Sequence, residues 1–257
     1  ESIAATYSGL KRNLLPAMIF LLLLKGDIRK IAALGPRMLT AFAASAVSIA
    51  LGFIVSFAIF VHWLPEDSWK TFAALSGSWM GGTGNMIAVQ GALQVPDSSM
   101  GYTLLIDSID YALWVILLLA LVPHAPAFNR WTKSSTSALD EIGKRLEETA
   151  TISDRKLDFT ALIFLLSAGL LASAFSQFVG EYIPATDFFS HTTWTILVAT
   201  ILGTLGAMTP LGRMAGSNEI ANIMLYEIIA LIASQANFAQ LTQAPIYVIA
   251  GLVILAV

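Results

Sequence analysis

Two carboxylates stand inside an apolar run. "YTLLIDSIDYALWVILLLAL" carries Asp107 and Asp110 three residues apart, which puts both on one face of a helix. At the helical rise, Asp110 lies about 12 Å into the run that opens at Tyr102, near the middle of a hydrocarbon core about 30 Å thick. An acid at that depth is costly unless it is paired, hydrated or protonated, so it reads first as a functional group. Two chemistries fit. Carboxylate oxygens can hold a hard cation such as Na+; the same groups can take up and release H+, because burial and a like-charged neighbour both favour the neutral acid. The sequence leaves Na+ and H+ equally open. The plainer account, an interfacial residue near a helix end, suits Asp107 better than Asp110.

One segment earlier, "GSWMGGTGNMIAV" (residues 77–89) places Gly77, Gly81, Gly82, Gly84 and Asn85 in otherwise apolar surroundings. Each glycine costs about 1 kcal/mol relative to alanine in a helix interior, so a break is expected here. Close helix packing is one explanation, and Gly77 and Gly81 have the small-xxx-small spacing. The other is an unwound stretch whose backbone groups face a ligand or ion, with half-helix ends aimed at it. Ser78, Thr83 and Asn85 add polar side chains that packing alone does not require. In the second half of the chain, Glu227 sits within "NIMLYEIIALIAS". It is either a buried acid paired with a polar group elsewhere or a participant in coupling or substrate binding. His62, His124 and His191 fall at segment ends, and Trp63, Trp69, Trp131, Tyr182 and Trp194 fit interfacial anchoring.

The elements that must position these groups follow from composition. Of 257 residues, 56% are hydrophobic and 12% charged, with a net charge of -3 and no cysteine; the mean hydropathy is +0.74. An ordinary soluble domain has roughly 25% charged residues, so the chain is expected to be all-α, a polytopic bundle of membrane helices. The apolar runs do not alternate with period two, which argues against a β-barrel. Eight segments are expected, at roughly 8–24, 37–61, 71–93, 102–123, 158–180, 191–209, 219–236 and 244–257. A polar stretch, Asn129 to Asp158, contains "ALDEIGKRLEE", which reads as a short surface helix in a linker or as a partner-binding helix. It divides the chain into 1–128, a linker at 129–157, and 158–257. The two flanking parts read as inverted repeats: each has an apolar run, a polar elbow (Asp27 or Asn237) and a proline (Pro36 or Pro245) opening the next helix. The ends suggest helices missing before Glu1 and after Val257.

Orientation is contradictory at this level. Lys25, Arg29, Lys30 and Arg37 crowd one loop, which the positive-inside rule places in the cytoplasm. Counting spans then puts the linker outside, unless long loops escape the rule or the glycine-broken segment does not cross completely.

"LPAMIFLLLLKGDIRKIAALG", "SGSWMGGTGNMIAV", "LIDSIDYALWVILLL" and "LIASQANFAQLTQAPIYVIAGLVILAV" together resemble the uncharacterised YjcL-like membrane family, domain of unknown function 819. That resemblance implies the superfamily of cation/proton antiporters and bile-acid/sodium symporters, with two inverted repeats and discontinuous helices crossing at the midplane. Gly81 to Asn85 would then be the unwound part of the first crossing helix, and Asp107 and Asp110 would lie on the helix after it. The implied activity is alternating-access transport without a defined solute.

The expected function is a secondary active transporter coupling Na+ or H+ to a small solute. The candidate site is Ser78, Gly81, Gly82, Thr83, Gly84, Asn85, Asp107, Asp110 and Glu227, with Asp107 and Asp110 as ligands if the ion is Na+. A cation/proton antiporter without an organic solute, a channel and a non-catalytic membrane subunit are the alternatives. With no paired nucleophile and base and no P-loop lysine in "GGTGN", neither enzyme activity nor a cofactor beyond the coupling ion is expected. The expected partners are the bilayer and the solute or ion, with a homodimer left open and no role for nucleic acid. The expected location is a bacterial cytoplasmic (inner) membrane.

Overall fold

The computed structural model describes residues 2–26, 28–32, 35–132, 157–186, 189–235 and 244–257. Both elbow residues, Asp27 and Asn237, and the "ALDEIGKRLEE" segment lie outside the described residues. Regular structure among the described residues is helical: α1 (Ser2–Leu23), α2 (Ile28–Ala32), α3 (Pro36–Phe60), α4 (Ser68–Gly81), α5 (Thr83–Ala92), α6 (Asp97–Leu121), α7 (Ala125–Thr132), α8 (Phe159–Tyr182), α9 (His191–Ala207), α10 (Ser217–Gln235) and α11 (Ala244–Ala256), with 3-10 turns at Val122–His124 and Pro210–Arg213. Among the described residues three runs, Pro36–Phe60, Asp97–Thr132 and Phe159–Tyr182, are long and apolar enough to cross a membrane. Phe42, Ile54, Leu119, Leu171 and Phe175 on these runs are exposed, as lipid-facing side chains would be. The chain is a helical membrane protein.

The starts of several helices are written locally. Pro36 opens α3, where its missing N–H would have no partner in any case. Ser190 caps α9 in a box with Thr193, and Asp158 accepts from the Ala161 N–H at the start of α8.

The interior divides into two apolar clusters. One gathers around α1, with Met18, Leu21 and Leu24 fully buried against Leu165 of α8, Ile196 of α9, Ile228 of α10 and Met86 and Ile87 of α5. The other joins Phe53 of α3, Phe72 and Leu75 of α4, Ile106 of α6 and Tyr247, Ala250 and Ile254 of α11. Both clusters draw on residues before and after the polar stretch, so neither 1–128 nor 158–257 forms a core of its own.

The expected segment at 71–93 is not one crossing helix. α4 has fourteen residues and α5 has ten, about 21 and 15 Å at the helical rise. A Cβ at Gly77 would meet the Asn85 carbonyl oxygen at 3.0 Å and Val89 Cγ2 at 3.1 Å. Twelve residues of continuous helix would separate 77 from 89 by about 18 Å, so the chain reverses at Gly82 and the two arms lie side by side. α5 then runs antiparallel to α1, with Gly84 against Leu22 and Gly91 against Leu15.

The hairpin therefore enters and leaves at one end of the bundle. At that end Asp97, at the start of α6, meets Tyr7 and Lys11 of α1, and the Thr193 hydroxyl donates to the Ala92 carbonyl at 2.8 Å. At the other end Lys25 Nζ donates to the Met214 carbonyl at 2.8 Å, and Leu157, where the chain re-emerges after the polar stretch, lies beside Gly216. The basic loop and the far flank of the polar stretch thus share an end of the bundle.

Candidate functional site

The site is assembled at the tip of the hairpin. Gly82 joins α4 to α5 at φ 90°, ψ 173°, in a region of backbone space that side chains rarely tolerate. Its N–H donates to the Ser78 carbonyl at 2.6 Å, and its own carbonyl accepts from Asn85 N at 2.9 Å and Met86 N at 3.3 Å. These bonds correct one expectation: the Gly82 carbonyl and N–H are used in turning the chain and are not open to a ligand. Side chains and the N-terminal end of α5 face the site instead. That end carries the positive pole of a helix dipole, about half a unit charge at its ideal limit, beside two acids.

α6 runs past the tip in the same direction as α4. Ser78 Oγ donates to Asp107 Oδ2 at 3.0 Å and Trp79 Nε1 donates to Oδ1 at 2.9 Å, so each oxygen of this half-buried carboxylate has a donor. Asp110 is different: it is fully buried, and neither of its oxygens has a hydrogen-bond partner among the described residues. Its carboxyl is pressed against the backbone of Gly251 on α11, so closely that any Cβ there would collide with it. One residue earlier, Ser56 Oγ of α3 donates to the Ala250 carbonyl at 2.8 Å, holding α11 in place.

Next to the acids lies a cavity of about 680 Å³, within the range of small-molecule sites, roughly 300–1,000 Å³. Ser45 and Ser48 of α3, Ser78 and Trp79 of α4, Gly82 and Thr83 at the tip, and Asp107, Asp110, Tyr111 and Trp114 of α6 form much of its wall, with Ile254 and Leu255 of α11 closing one side. Hydroxyls, an indole and two acids on an otherwise apolar lining can orient a small polar solute and bind a cation or proton. Among the described residues, no group of three or more His, Asp or Glu side chains could hold a metal ion.

Five of the nine candidate residues meet here: Ser78, Gly82, Thr83, Asp107 and Asp110. Gly81, Gly84 and Asn85 do not line the cavity. Asn85 is exposed with its amide over Gly81, and Gly84 packs on Leu22. Glu227 is exposed on α10, neither buried nor part of the cavity wall. Sequence reasoning missed Trp79 and Gly251. Trp79 could have been suspected as an N–H donor inside the broken stretch, but nothing in "YVIAGLVILA" marks Gly251.

At the opposite end, Asp97 accepts from Tyr7 Oη at 2.5 Å, Gln90 Nε2 at 2.5 Å and Lys11, tying α1, the base of α5 and α6 together beside a second cavity of about 520 Å³. The sequence reading had no place for this cluster. Comparison with known proteins adds one match: the family described as protein of unknown function (DUF819) matches over residues 1–257. No curated protein and no solved structure matches.

Proposed function

The chain belongs to the DUF819 family, and we propose that it is a secondary active transporter that moves a small solute by alternating access, coupled to Na+ or H+. The observation that carries this reading is Asp110, a fully buried and unpartnered carboxylate on a long apolar helix, at the wall of a solute-sized cavity. A buried acid without a partner has no structural use in a membrane helix and is expensive to keep; a charge that comes and goes there gives it one. The cavity volume favours a transported solute over exchange of bare cations. Membership of the cation/proton antiporter and bile-acid/sodium symporter superfamily, with its inverted repeats, is part of this proposal, supported by a glycine break beside an acidic helix. With the basic loop at the cytoplasmic face, the polar stretch is cytoplasmic and the hairpin re-enters from the opposite side of a bacterial inner membrane.

The test is uptake and counterflow of a solute panel in proteoliposomes under imposed Na+ and H+ gradients. Gradient-driven flux is expected in the natural protein and at least tenfold less in Asp110→Asn. Full ion-driven flux in Asp110→Asn would remove that residue as the coupling acid. The absence of flux under every gradient and with every solute of the panel would favour a non-transporting membrane subunit.

A further inference from the structure

We propose that the coupling ion is a proton carried by Asp110, and that Gly251 of α11 is the seat that closes on the neutral acid and opens when the proton leaves. This rests on the transporter reading and names its ion and its gate. The acids divide the work unequally. Asp107 has a donor for each oxygen, from Ser78 and Trp79, and such bonds stabilise a carboxylate. Asp110 has none among the described residues, and both its oxygens are shielded from solvent.

A sodium ion would need several oxygen ligands around that carboxylate. What packs on it is the Gly251 backbone. The nearby Ala250 carbonyl is already engaged by Ser56, and each Asp107 oxygen already accepts one hydrogen bond, which leaves fewer oxygens to complete such a shell. A proton needs no such shell, because it neutralises the acid by itself.

The charged and titratable groups around α6 leave the task to this residue. α4 contributes Ser78 and Trp79 at the cavity, and α3 contributes Ser45 and Ser48; none of these titrates near neutrality. α11 brings Tyr247, which packs on Phe72. The acids of α10, Glu219 and Glu227, are exposed, as is His124 beyond the end of α6. On α6 itself, Asp107 is adjacent, and Tyr111, largely exposed at the cavity wall, is a phenol that does not titrate near neutrality.

The step is a simple ionisation: the Asp110 O–H bond breaks, the proton passes to water in the cavity, and the electron pair stays on the carboxylate. The anion then needs water where Gly251 now lies, so α11 must move away from α6. Glycine at 251 is what lets the neutral state close, since a side chain there would occupy the space of the carboxyl.

Difference infrared spectroscopy of the full-length reconstituted protein reads this directly, without a known solute. The natural protein is expected to show the C=O stretch of a protonated carboxylic acid at neutral pH, unaltered by NaCl in place of KCl. The band should disappear in Asp110→Asn and persist in Asp107→Asn, which also controls for folding. Gly251→Ala should convert it to the signal of a hydrated carboxylate. Absence of the band in the natural protein, its survival in Asp110→Asn, its loss on adding Na+, or its indifference to Gly251→Ala would each overturn the proposal. A band that behaves as expected in a protein without flux would leave the proton site standing and remove the transporter reading; flux driven by Na+ alone would do the reverse.

Discussion

Asp107 and Asp110 differ by three positions in sequence and by their whole environment in space. The donors on Asp107 come from Ser78 and Trp79, adjacent residues of α4, and each removal leaves a carboxylate oxygen unsatisfied. Trp79→Phe is therefore expected to lower stability by about 1–3 kcal/mol, read as a lower unfolding temperature in detergent. Ser78→Ala should act in the same direction with a smaller effect, because little packing is lost with a hydroxyl. The i, i+3 spacing made the pair visible, but no pattern in one chain distinguishes a satisfied carboxylate from an orphaned one. That distinction depends on what α4 and α11 bring to α6.

At the scale of elements, the decisive feature is the reversal at Gly82. Gly82→Ala puts a side chain at φ 90°, ψ 173°, a cost of about 1–3 kcal/mol, and is expected to lower the unfolding temperature. Gly77→Leu should wedge the arms apart, because the space beyond Gly77 is filled by Asn85 and Val89. The expected result is loss of ion-driven flux in proteoliposomes with the helix content unchanged by circular dichroism. The run of glycines announced a break, and the break is there. Its geometry was not legible, since glycine permits both a kinked crossing helix and a hairpin, and only the contact of Gly77 with Val89 decides between them.

For the whole molecule, the hairpin sets which loops share a side. These 257 residues contain no cysteine, so a cysteine introduced among them is the one thiol there. Ala32→Cys and Leu157→Cys are expected to react from one face of the membrane, and Glu66→Cys and Gln94→Cys both from the other. Labelling of Glu66→Cys and Gln94→Cys from opposite faces would mean that residues 68–92 cross completely. The far end is held by the Asp97 cluster, where Asp97→Ala would leave Lys11 in a largely buried place without its partner. Breaking such a pair costs about 3–5 kcal/mol, so this variant should be the least stable of those named, by thermal unfolding in detergent.

The amino-acid sequence alone indicates a helical membrane chain, where most helices lie, that one segment is broken, and that two acids share a face of a long apolar helix. Those properties are local or additive: hydropathy sums along a run, glycine lowers helix propensity in place, and helical spacing follows from 3.6 residues per turn. It took the packing of the helices to show that the broken segment turns back, that Trp79 and Ser78 satisfy Asp107, that Gly251 packs on Asp110, and that Glu227, Asn85, Gly81 and Gly84 stand apart from the cavity. Each of these depends on how the elements pack against one another: 110 meets 251, 78 and 79 meet 107, and 77 meets 89. A carboxylate's role is set by the atoms packed around it, and a single sequence does not record which atoms those are.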